Sequence, residues 1–149
     1  MDYHGLKKGF TLIELIVVAT IIGLLAAAGV VSYSQFSKQS RDAKRKADLE
    51  QIRAAIELYK SNNNSYPNPT LAVFTACTPS PSSLTDASNT YLSKIPNDPK
   101  CPTYYYYYTS DGSTYTISAA LETDTTSSCG ANCGTTCRYS LGPYGQTCP

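Results

Sequence analysis

An uninterrupted apolar segment dominates the first part of the chain. Between Phe10 and Val31 the residues are apolar or small, with three exceptions: Thr11, Thr20 and Glu14. Because a helix needs about 20 apolar residues to cross a bilayer, this pattern predicts a membrane-spanning helix. A carboxylate at the centre of such a helix costs about 2.5 to 3.5 kcal/mol, and somewhat less near an end, so Glu14 is expected to have a partner and a function.

Helical spacing continues after the apolar segment, although the composition becomes polar. Apolar residues recur at intervals of three and four: Leu49, Ile52, Ile56 and Tyr59. This spacing predicts one buried stripe, and no proline precedes Pro67. We therefore expect one helix of roughly 75 Å from Phe10 to about Ser61. Residues 10–31 form its hydrophobic, membrane-spanning half, and residues 32–61 form an exposed half that packs on a small domain.

A β-hairpin is predicted in the second half of the chain. Aromatic and β-branched residues fill Tyr104–Thr109 and Thr114–Leu121, on either side of an Asp111-Gly112 turn signal. In a strand, Tyr104, Tyr106 and Tyr108 face one way and the two tyrosines between them face the other. One set is therefore expected to pack on the helix, and sheet packing with subunit contact is favoured over a ligand platform.

Two shorter elements complete the predicted domain over residues 62–149. A short helix is expected at Thr90-Tyr91-Leu92, followed by a turn at Ile95-Pro96, and Thr136–Leu141 is expected to add a strand. The order of helix, loop, antiparallel hairpin and C-terminal tail predicts an α+β fold.

Composition and charge limit the possible partners. The chain has 149 residues and a net charge of +1, which leaves room for one modest domain beyond the helix. Seven of the twelve Lys and Arg residues lie between Lys38 and Lys60. This charged stretch is interpreted as a solvent-exposed helix face, with an electrostatic assembly surface as the alternative. The domain after Ser61 has few basic residues to neutralise phosphates, which disfavours nucleic acid as a partner.

All six cysteines lie in the second half of the chain: Cys77, Cys101, Cys129, Cys133, Cys137 and Cys148. An even number in a small exported domain predicts a disulfide framework in an oxidising compartment. Six cysteines allow 15 pairings; the preferred one joins Cys77 to Cys101 and leaves the other four to staple the C-terminal segment. Zinc is the alternative, but the spacing of four residues between Cys129, Cys133 and Cys137 matches no common zinc pattern.

Residues that carry enzymatic chemistry are scarce. The single histidine is His4, so neither a Ser-His nor a Cys-His arrangement is available after the first few residues. The carboxylates of the second half lie among turn and strand signals, with no pattern that places them in a common pocket: Asp98, Asp111, Glu122 and Asp124. The chain is therefore predicted not to be an enzyme.

The start of the chain resembles a known signal. Lys7-Lys8-Gly9-Phe10-Thr11-Leu12-Ile13-Glu14-Leu15-Ile16 is similar to the class III signal of type IV pilins and pseudopilins. The resemblance implies that a prepilin peptidase removes residues 1–9 by cutting after Gly9 and methylates the new amine of Phe10. It also implies a pilin-like fold and a filament in whose centre the N-terminal helices pack. Glu14 would accept the Phe10 amine of a neighbouring subunit.

The implied function is that of a structural subunit in a type IV pilus-like filament. Its partners would be identical subunits, the prepilin peptidase and the inner-membrane assembly platform. The alternative machine is a type II secretion system, because Ile95-Pro96-Asn97-Asp98-Pro99 before the hairpin resembles the pseudopilin domain. A membrane-anchored binding module that never polymerises remains a further alternative. So does an ordinary secretory signal cleaved after Ala26-Ala27-Ala28.

The expected location follows from the same features. Basic residues after the apolar segment outnumber Lys7 and Lys8 before it, which taken alone favours the reverse orientation. The cysteines and the leader motif instead favour a cytoplasmic N-terminus. We therefore predict a single-pass cytoplasmic membrane protein with an exported C-terminal domain, which then enters a cell-surface filament.

Calcium is the only cofactor that the resemblance suggests. Related secretion pseudopilins can bind calcium in a loop of this region, so Asn97, Asp98 and Asp111 are candidate ligands. The contiguous acidic spacing of a recognised calcium loop is missing from this chain. No other metal or cofactor is expected.

Overall fold

The computed structural model describes residues 9–68 and 83–148, which contain one long helix and six strands. The helix α1 spans Leu12–Asn63. The strands are β1 (Leu84–Thr85), β2 (Thr90–Leu92), β3 (Tyr107–Ser110), β4 (Tyr115–Ala119), β5 (Tyr139–Gly142) and β6 (Gly145–Cys148). The chain divides into two compact units, Met1–Ser37 and Lys38–Pro149.

The long helix confirms the prediction from the apolar and stripe patterns, and both of its ends lie within about two residues of the expected positions. Its C-terminus is closed by Asn64, which adopts a positive φ of 58° and donates its backbone N–H to the Lys60 carbonyl at 2.8 Å. Asparagine tolerates this left-handed conformation, which is the usual way to end a helix. The side chain of Asn63 also donates to the Tyr59 carbonyl at 3.0 Å.

In the first unit the helix surface is apolar and exposed. Every side chain described between Phe10 and Gly29 is exposed, and Phe10 itself is 83% exposed. The segment is long and apolar enough to cross a membrane. A surface of this kind requires lipid or other protein to cover it.

In the second unit an antiparallel sheet has the strand order β3-β4-β5-β6. Tyr108 pairs with Ile117, and Ile117 pairs in turn with Leu141. The predicted hairpin is confirmed, although its first strand begins at Tyr107 rather than at Tyr104. A separate two-stranded sheet joins β1 to β2.

The core lies between the helix stripe and the sheet. Leu49, Ile52 and Ile56 are buried, as their spacing predicted, and they belong to one apolar cluster with Tyr106, Tyr108 and further sheet residues. Tyr106 and Tyr108 are almost fully buried, whereas Tyr105 and Tyr107 are partly exposed. Burial therefore alternates from Tyr105 to Tyr108, as expected for an extended chain.

Two predictions about the shorter elements are corrected. The segment Thr90–Leu92 is a strand rather than a short helix, because it pairs with Leu84–Thr85. The predicted strand at Thr136–Leu141 begins later, at Tyr139, and it is followed by β6, which the sequence pattern did not predict. β6 has only one apolar residue, and its pairing with β5 places it in the sheet.

Two disulfides cross-link the C-terminal segment, which confirms the predicted disulfide framework there. Cys129 is bonded to Cys148 and Cys133 to Cys137. These bonds leave none of the four as a thiolate for zinc, so the zinc alternative is wrong. Cys101 is also disulfide-bonded, and its predicted partner Cys77 lies outside the described residues.

Candidate functional site

The start of α1 places Glu14 in a capping box with Thr11. The Thr11 backbone N–H donates to Glu14 Oε2 at 2.7 Å, and the Thr11 hydroxyl donates to the same oxygen at 2.8 Å. The Glu14 backbone N–H in turn donates to Thr11 Oγ1 at 3.3 Å. This reciprocal arrangement satisfies backbone donors that the first turn of a helix otherwise leaves unpaired.

The second carboxylate oxygen of Glu14, Oε1, takes no part in this capping box. Among the described residues, no hydrogen bond uses Glu14 Oε1. A peptide bond cut after Gly9 would leave the Thr11 N–H in place, because that group belongs to the bond between Phe10 and Thr11. The cap is therefore compatible with removal of the leader, and one oxygen of Glu14 remains for a further donor.

The second unit contains a buried cluster of charges around Arg45. The Arg45 side chain is 0% exposed and binds both oxygens of Asp98, at 2.6 and 2.9 Å. Its Nη1 also donates to Asp42 at 2.7 Å and to Glu122 at 2.8 Å. One guanidinium thus joins α1 to the segment before Lys100 and to the segment after β4.

Further hydrogen bonds complete the cluster. Arg41 binds Glu122 through two donors, each at 2.7 Å, and Lys100 Nζ donates to the same carboxylate at 2.7 Å. Asp42 accepts the backbone N–H groups of Glu122 and Thr123 and also the Thr123 hydroxyl. Within the described residues, no buried polar side-chain atom lacks a hydrogen-bond partner.

The cluster favours the charged forms of Arg45, Glu122 and Asp42. Burial by itself disfavours the charge on Arg45, but its bonds to Asp98 and Glu122 raise the pKa of the guanidinium above its usual value. The bond from Arg41, with those from Lys100 and Arg45, lowers the pKa of Glu122 well below its usual range. Burial opposes the charge on Asp42, yet hydrogen bonds from Glu122, Thr123 and Arg45 lower the pKa of that carboxyl overall.

The interpretation of the charged stretch between Lys38 and Lys60 as a solvent-exposed helix face is therefore wrong for two of its residues. Asp42 and Arg45 are buried, whereas Lys44 and Lys46 are exposed as predicted. Spacing places Asp42 and Arg45 on one helix face, but it does not show that Asp98 and Glu122 come from distant segments to meet them. That information lies in the tertiary contacts and not in the local pattern.

Of the residues suggested as calcium ligands, Asp98 does not fit such a site. Both carboxylate oxygens of Asp98 are engaged by Arg45, while Asp111 accepts the backbone N–H groups of Ser113 and Thr114 in its own turn. Asn97 is exposed. In the part of the chain that the structure describes, no three His, Cys, Asp or Glu side chains are grouped to hold a metal ion.

Tyrosine hydroxyls form a second set of contacts between the sheet and α1. Tyr106 donates to Asp48 at 2.7 Å and Tyr115 donates to Glu57 at 2.9 Å. Burial raises the pKa of Tyr108 to about 12, and its hydroxyl donates to the Pro67 carbonyl at 2.7 Å. These contacts assign the buried tyrosines to domain packing.

Comparison with known protein families gives two consecutive matches along the chain. The model of the prokaryotic N-terminal methylation motif matches residues 6–30. The model described as type II secretion system, protein G, matches residues 32–132. Residues 133–149 follow the second match and contain β5, β6 and three of the cysteines.

Individual relatives fall into two groups. The chain is 35% identical over 103 residues to the type II secretion system core protein G of Pseudomonas aeruginosa, covering 67% of this chain and 72% of that protein. It is 31% identical over 98 residues to the core protein G of Aeromonas hydrophila, covering 62% and 67%. The type IV major fimbrial protein FimA of Dichelobacter nodosus is 44% identical over 53 residues, covering 36% and 34%.

No solved structure matches the chain significantly. The family match over residues 32–132 covers more than half of the chain, and the methylation motif precedes it. The chain therefore belongs to the type II secretion system protein G family, within the wider group of type IV pilins and pseudopilins.

Proposed function

We propose that the chain is a structural subunit of a type IV pilus-like filament, which polymerises through the apolar half of α1. The observation that carries this proposal is the exposure of every described side chain between Phe10 and Gly29, a segment that contains a single carboxylate. Such a surface is covered by lipid before assembly. In a filament the same surface is covered by the helices of identical subunits.

Glu14 gives the assembly its register. After a prepilin peptidase cuts the chain behind Gly9 and methylates the new terminus, Phe10 carries a positive amine. Glu14 Oε2 is held by Thr11, and Oε1 accepts the amine of an adjacent subunit. An ion pair at 4 Å is worth about 4 kcal/mol at an effective dielectric of 20, before desolvation is subtracted, so correctly aligned subunits are favoured.

Before assembly the apolar half of α1 anchors the chain in the cytoplasmic membrane. Its length suits a single crossing, with the N-terminus on the cytoplasmic side and the disulfide-bonded domain exported. The assembly platform of that membrane then transfers the subunit into the filament. These two partners, the prepilin peptidase and the assembly platform, act on the N-terminus and on α1.

Two machines use subunits of this kind. A long surface pilus is favoured by the disulfide-bonded segment that follows residue 132, because a pilus exposes a part of its subunit that varies independently. A short type II secretion pseudopilus is the second candidate. It is favoured by the match to the protein G model through residue 132 and by the similarity to core protein G of Pseudomonas aeruginosa.

The processing step is tested first. Intact mass and N-terminal sequencing of the membrane-extracted protein should give a chain that begins at methylated Phe10. A chain that retains Met1, or one that begins near Gly29, would remove the proposal. Electron microscopy of sheared surface material then separates long pili from short filaments, and the absence of both would favour a membrane-anchored binding module.

The docking step is tested with substitutions that separate charge from capping. Glu14→Ala and Glu14→Val should insert into the membrane normally but reduce filament yield. Glu14→Gln keeps an oxygen that can accept the Thr11 hydrogen bonds and removes the negative charge, so it should also assemble poorly. Thr20→Ala, which removes another polar group from the same helix, should assemble normally. An undiminished filament yield from Glu14→Gln would mean that Glu14 caps the helix and that its charge is not needed for docking.

A further inference from the structure

The C-terminal strand β6 has few contacts of its own. It spans Gly145–Cys148 and lies at the edge of the described sheet, where it pairs with β5 on one side. None of its four residues is buried, and Gln146 and Thr147 are exposed. The Gln146 side chain donates to the Cys148 carbonyl at 2.9 Å, so this bond stays within β6. Burial of apolar side chains therefore contributes little to holding β6 in the sheet.

A disulfide attaches β6 covalently to an earlier part of the second unit. Cys148, the last residue of β6, is bonded to Cys129, which lies 19 positions earlier. The Cys133–Cys137 bond, in contrast, spans four positions. A cross-link constrains the chain more when it closes a longer loop. The Cys129–Cys148 bond is therefore the one that restricts an otherwise weakly held strand.

The two disulfides also differ in their access to solvent. Cys133 and Cys137 are 0% exposed and form a buried cluster with Ala120. Cys129 and Cys148 are both partly exposed. Because thiol–disulfide exchange requires a thiolate to reach a sulfur of the bond, access decides which bond reacts first. A thiol reagent in solution should therefore react first with the Cys129–Cys148 bond.

The segment around Cys129 has attachments that do not depend on this disulfide. The Cys129 backbone N–H donates to the Cys137 carbonyl at 2.9 Å, and Arg138 Nη1 donates to the Ser127 carbonyl at 3.0 Å. Cys129 also packs against the buried Cys133–Cys137 cluster. When the bond opens, Cys129 is therefore still held in the fold. β6 is left with its pairing to β5, and that pairing is itself irregular.

We propose that the Cys129–Cys148 disulfide is a redox-sensitive switch that controls whether β6 belongs to the sheet. A dithiol opens the bond when one of its thiolates attacks a sulfur, and its second thiol then resolves the mixed disulfide. Two electrons and two protons pass from the dithiol, which becomes a disulfide, to Cys129 and Cys148, which become thiols.

Reduction changes the edge of the sheet and leaves its core in place. β6 separates and β5 becomes the new edge strand, with its backbone groups open to pairing. The core between α1 and the sheet is kept, because it contains no residue of β6. Both cysteines of the switch lie outside the buried core of the second unit, and the switch does not depend on whether the chain assembles into a filament.

The first measurement is the order in which the bonds open. The full chain in detergent micelles is titrated with dithiothreitol, free thiols are trapped with iodoacetamide, and the modified cysteines are located by tandem mass spectrometry. Cys129 and Cys148 should be trapped at a reductant concentration at least about tenfold lower than Cys133 and Cys137. Trapping of all four at the same concentration, or of Cys133 and Cys137 first, would contradict the proposal.

Hydrogen exchange then follows β6 itself. In Cys129→Ser with Cys148→Ser, and in the unchanged chain reduced only at these two cysteines, β6 amides should exchange at least about tenfold faster than in the oxidised chain. The amides of β3, β4 and the buried stripe of α1 should keep their protection. Gln146→Ala is the matched control, because it changes a β6 side chain and leaves the disulfide, so β6 should stay protected.

Reversibility distinguishes a switch from a permanent cross-link. Oxidised glutathione, added after the dithiol is removed, should restore the slow exchange of β6. Persistent protection of β6 without the disulfide would show that pairing with β5 alone holds the strand. An equal loss of protection in β3 and β4 would show that the bond stabilises the whole sheet. Either of these results, or a failure of reoxidation to restore protection, would overturn the proposal.

Discussion

Arg45 shows how one residue can decide the stability of this domain. Its guanidinium is fully buried and binds three carboxylates that come from separate segments of the chain. Removing one member of a buried ion pair leaves the other charges without compensation, which typically costs about 3 to 5 kcal/mol. A surface pair of similar length contributes about 0 to 1 kcal/mol.

We therefore expect Arg45→Met to destabilise the second unit by about 3 to 5 kcal/mol, as measured by thermal or denaturant unfolding of the full chain in micelles. Arg53→Met is the matched control, because Arg53 lies on the same helix and binds Glu50 at 2.8 Å on the exposed surface. It should change the free energy of unfolding by at most about 1 kcal/mol. Similar midpoints for the two variants would contradict the structural role assigned to Arg45.

Glu122 makes the same cluster sensitive to acid. Its pKa in the folded protein lies below the value of about 4.3 that an unfolded chain would have. The resulting stabilisation is complete above the unfolded pKa and is lost as the pH falls toward the folded pKa. The unfolding midpoint should therefore fall progressively below about pH 5.

The measurement is the thermal midpoint between pH 2 and pH 7. Glu122→Gln should be less stable at pH 7 and should show a shallower decline with acid, because its proton-linked contribution has been removed. Glu50→Gln, on the exposed surface, should keep the slope of the unchanged chain. An acid profile that is the same in Glu122→Gln as in the unchanged chain would show that the linkage lies elsewhere.

At the scale of elements, the turn between Cys133 and Cys137 depends on a glycine. Gly134 has a φ of +84°, and a Cβ added there would lie 2.0 Å from the Thr103 carbonyl oxygen. Gly130 also has a positive φ, of +70°, but a Cβ there would meet nothing within 4 Å. The two glycines share a left-handed backbone and differ in the space around them.

Gly134→Ala should therefore distort the Cys133–Cys137 turn and the backbone at Thr103, and it should lower the unfolding midpoint clearly more than Gly130→Ala does. Gly130→Ala should cost only the left-handed backbone penalty of roughly 1 to 2 kcal/mol. Thermal unfolding measures both effects, and the yield of correctly oxidised protein shows whether the disulfide still forms. Equal losses in the two variants would mean that the contact with Thr103 does not matter.

The elements differ in how well the sequence predicted them. The buried stripe of α1 and the Asp111-Gly112 hairpin are local patterns, and the structure confirms both. β2 and β6 were missed because their strands exist through pairing with β1 and β5 and not through alternation of their own residues. Sequence patterns report the preference of a segment, whereas short edge strands depend on their neighbours.

At the scale of the molecule, the sequence predicted the class of protein better than the contacts of its domain. The signal around Gly9-Phe10 and Glu14 is contiguous, so the sequence displays it directly. The Arg45 cluster joins residues that lie 53 and 77 positions apart, to Asp98 and Glu122 respectively. No periodicity reports such a meeting, which is why the charged face of α1 was interpreted as solvent-exposed.

The same cluster predicts that Asp42, Asp98 and Glu122 do not need a divalent cation to stay together. In a site for calcium, carboxylates converge on the metal and lose most of their mutual repulsion to its charge. Here Asp42, Asp98 and Glu122 converge on the guanidinium of Arg45, which supplies both the positive charge and directed hydrogen-bond donors. Since the guanidinium is covalently part of α1, it cannot be removed by a chelator.

The unfolding midpoint of the full chain should therefore be the same in excess EDTA as in millimolar calcium, within about one degree. Arg45→Met provides the complementary test, because it leaves the three carboxylates in place without their cation. If the carboxylates then remain close together, calcium should raise the midpoint of Arg45→Met while leaving the unchanged chain unaffected. A fall of several degrees when EDTA is added to the unchanged chain, reversed by calcium, would show that the domain contains a metal site that Arg45 does not replace.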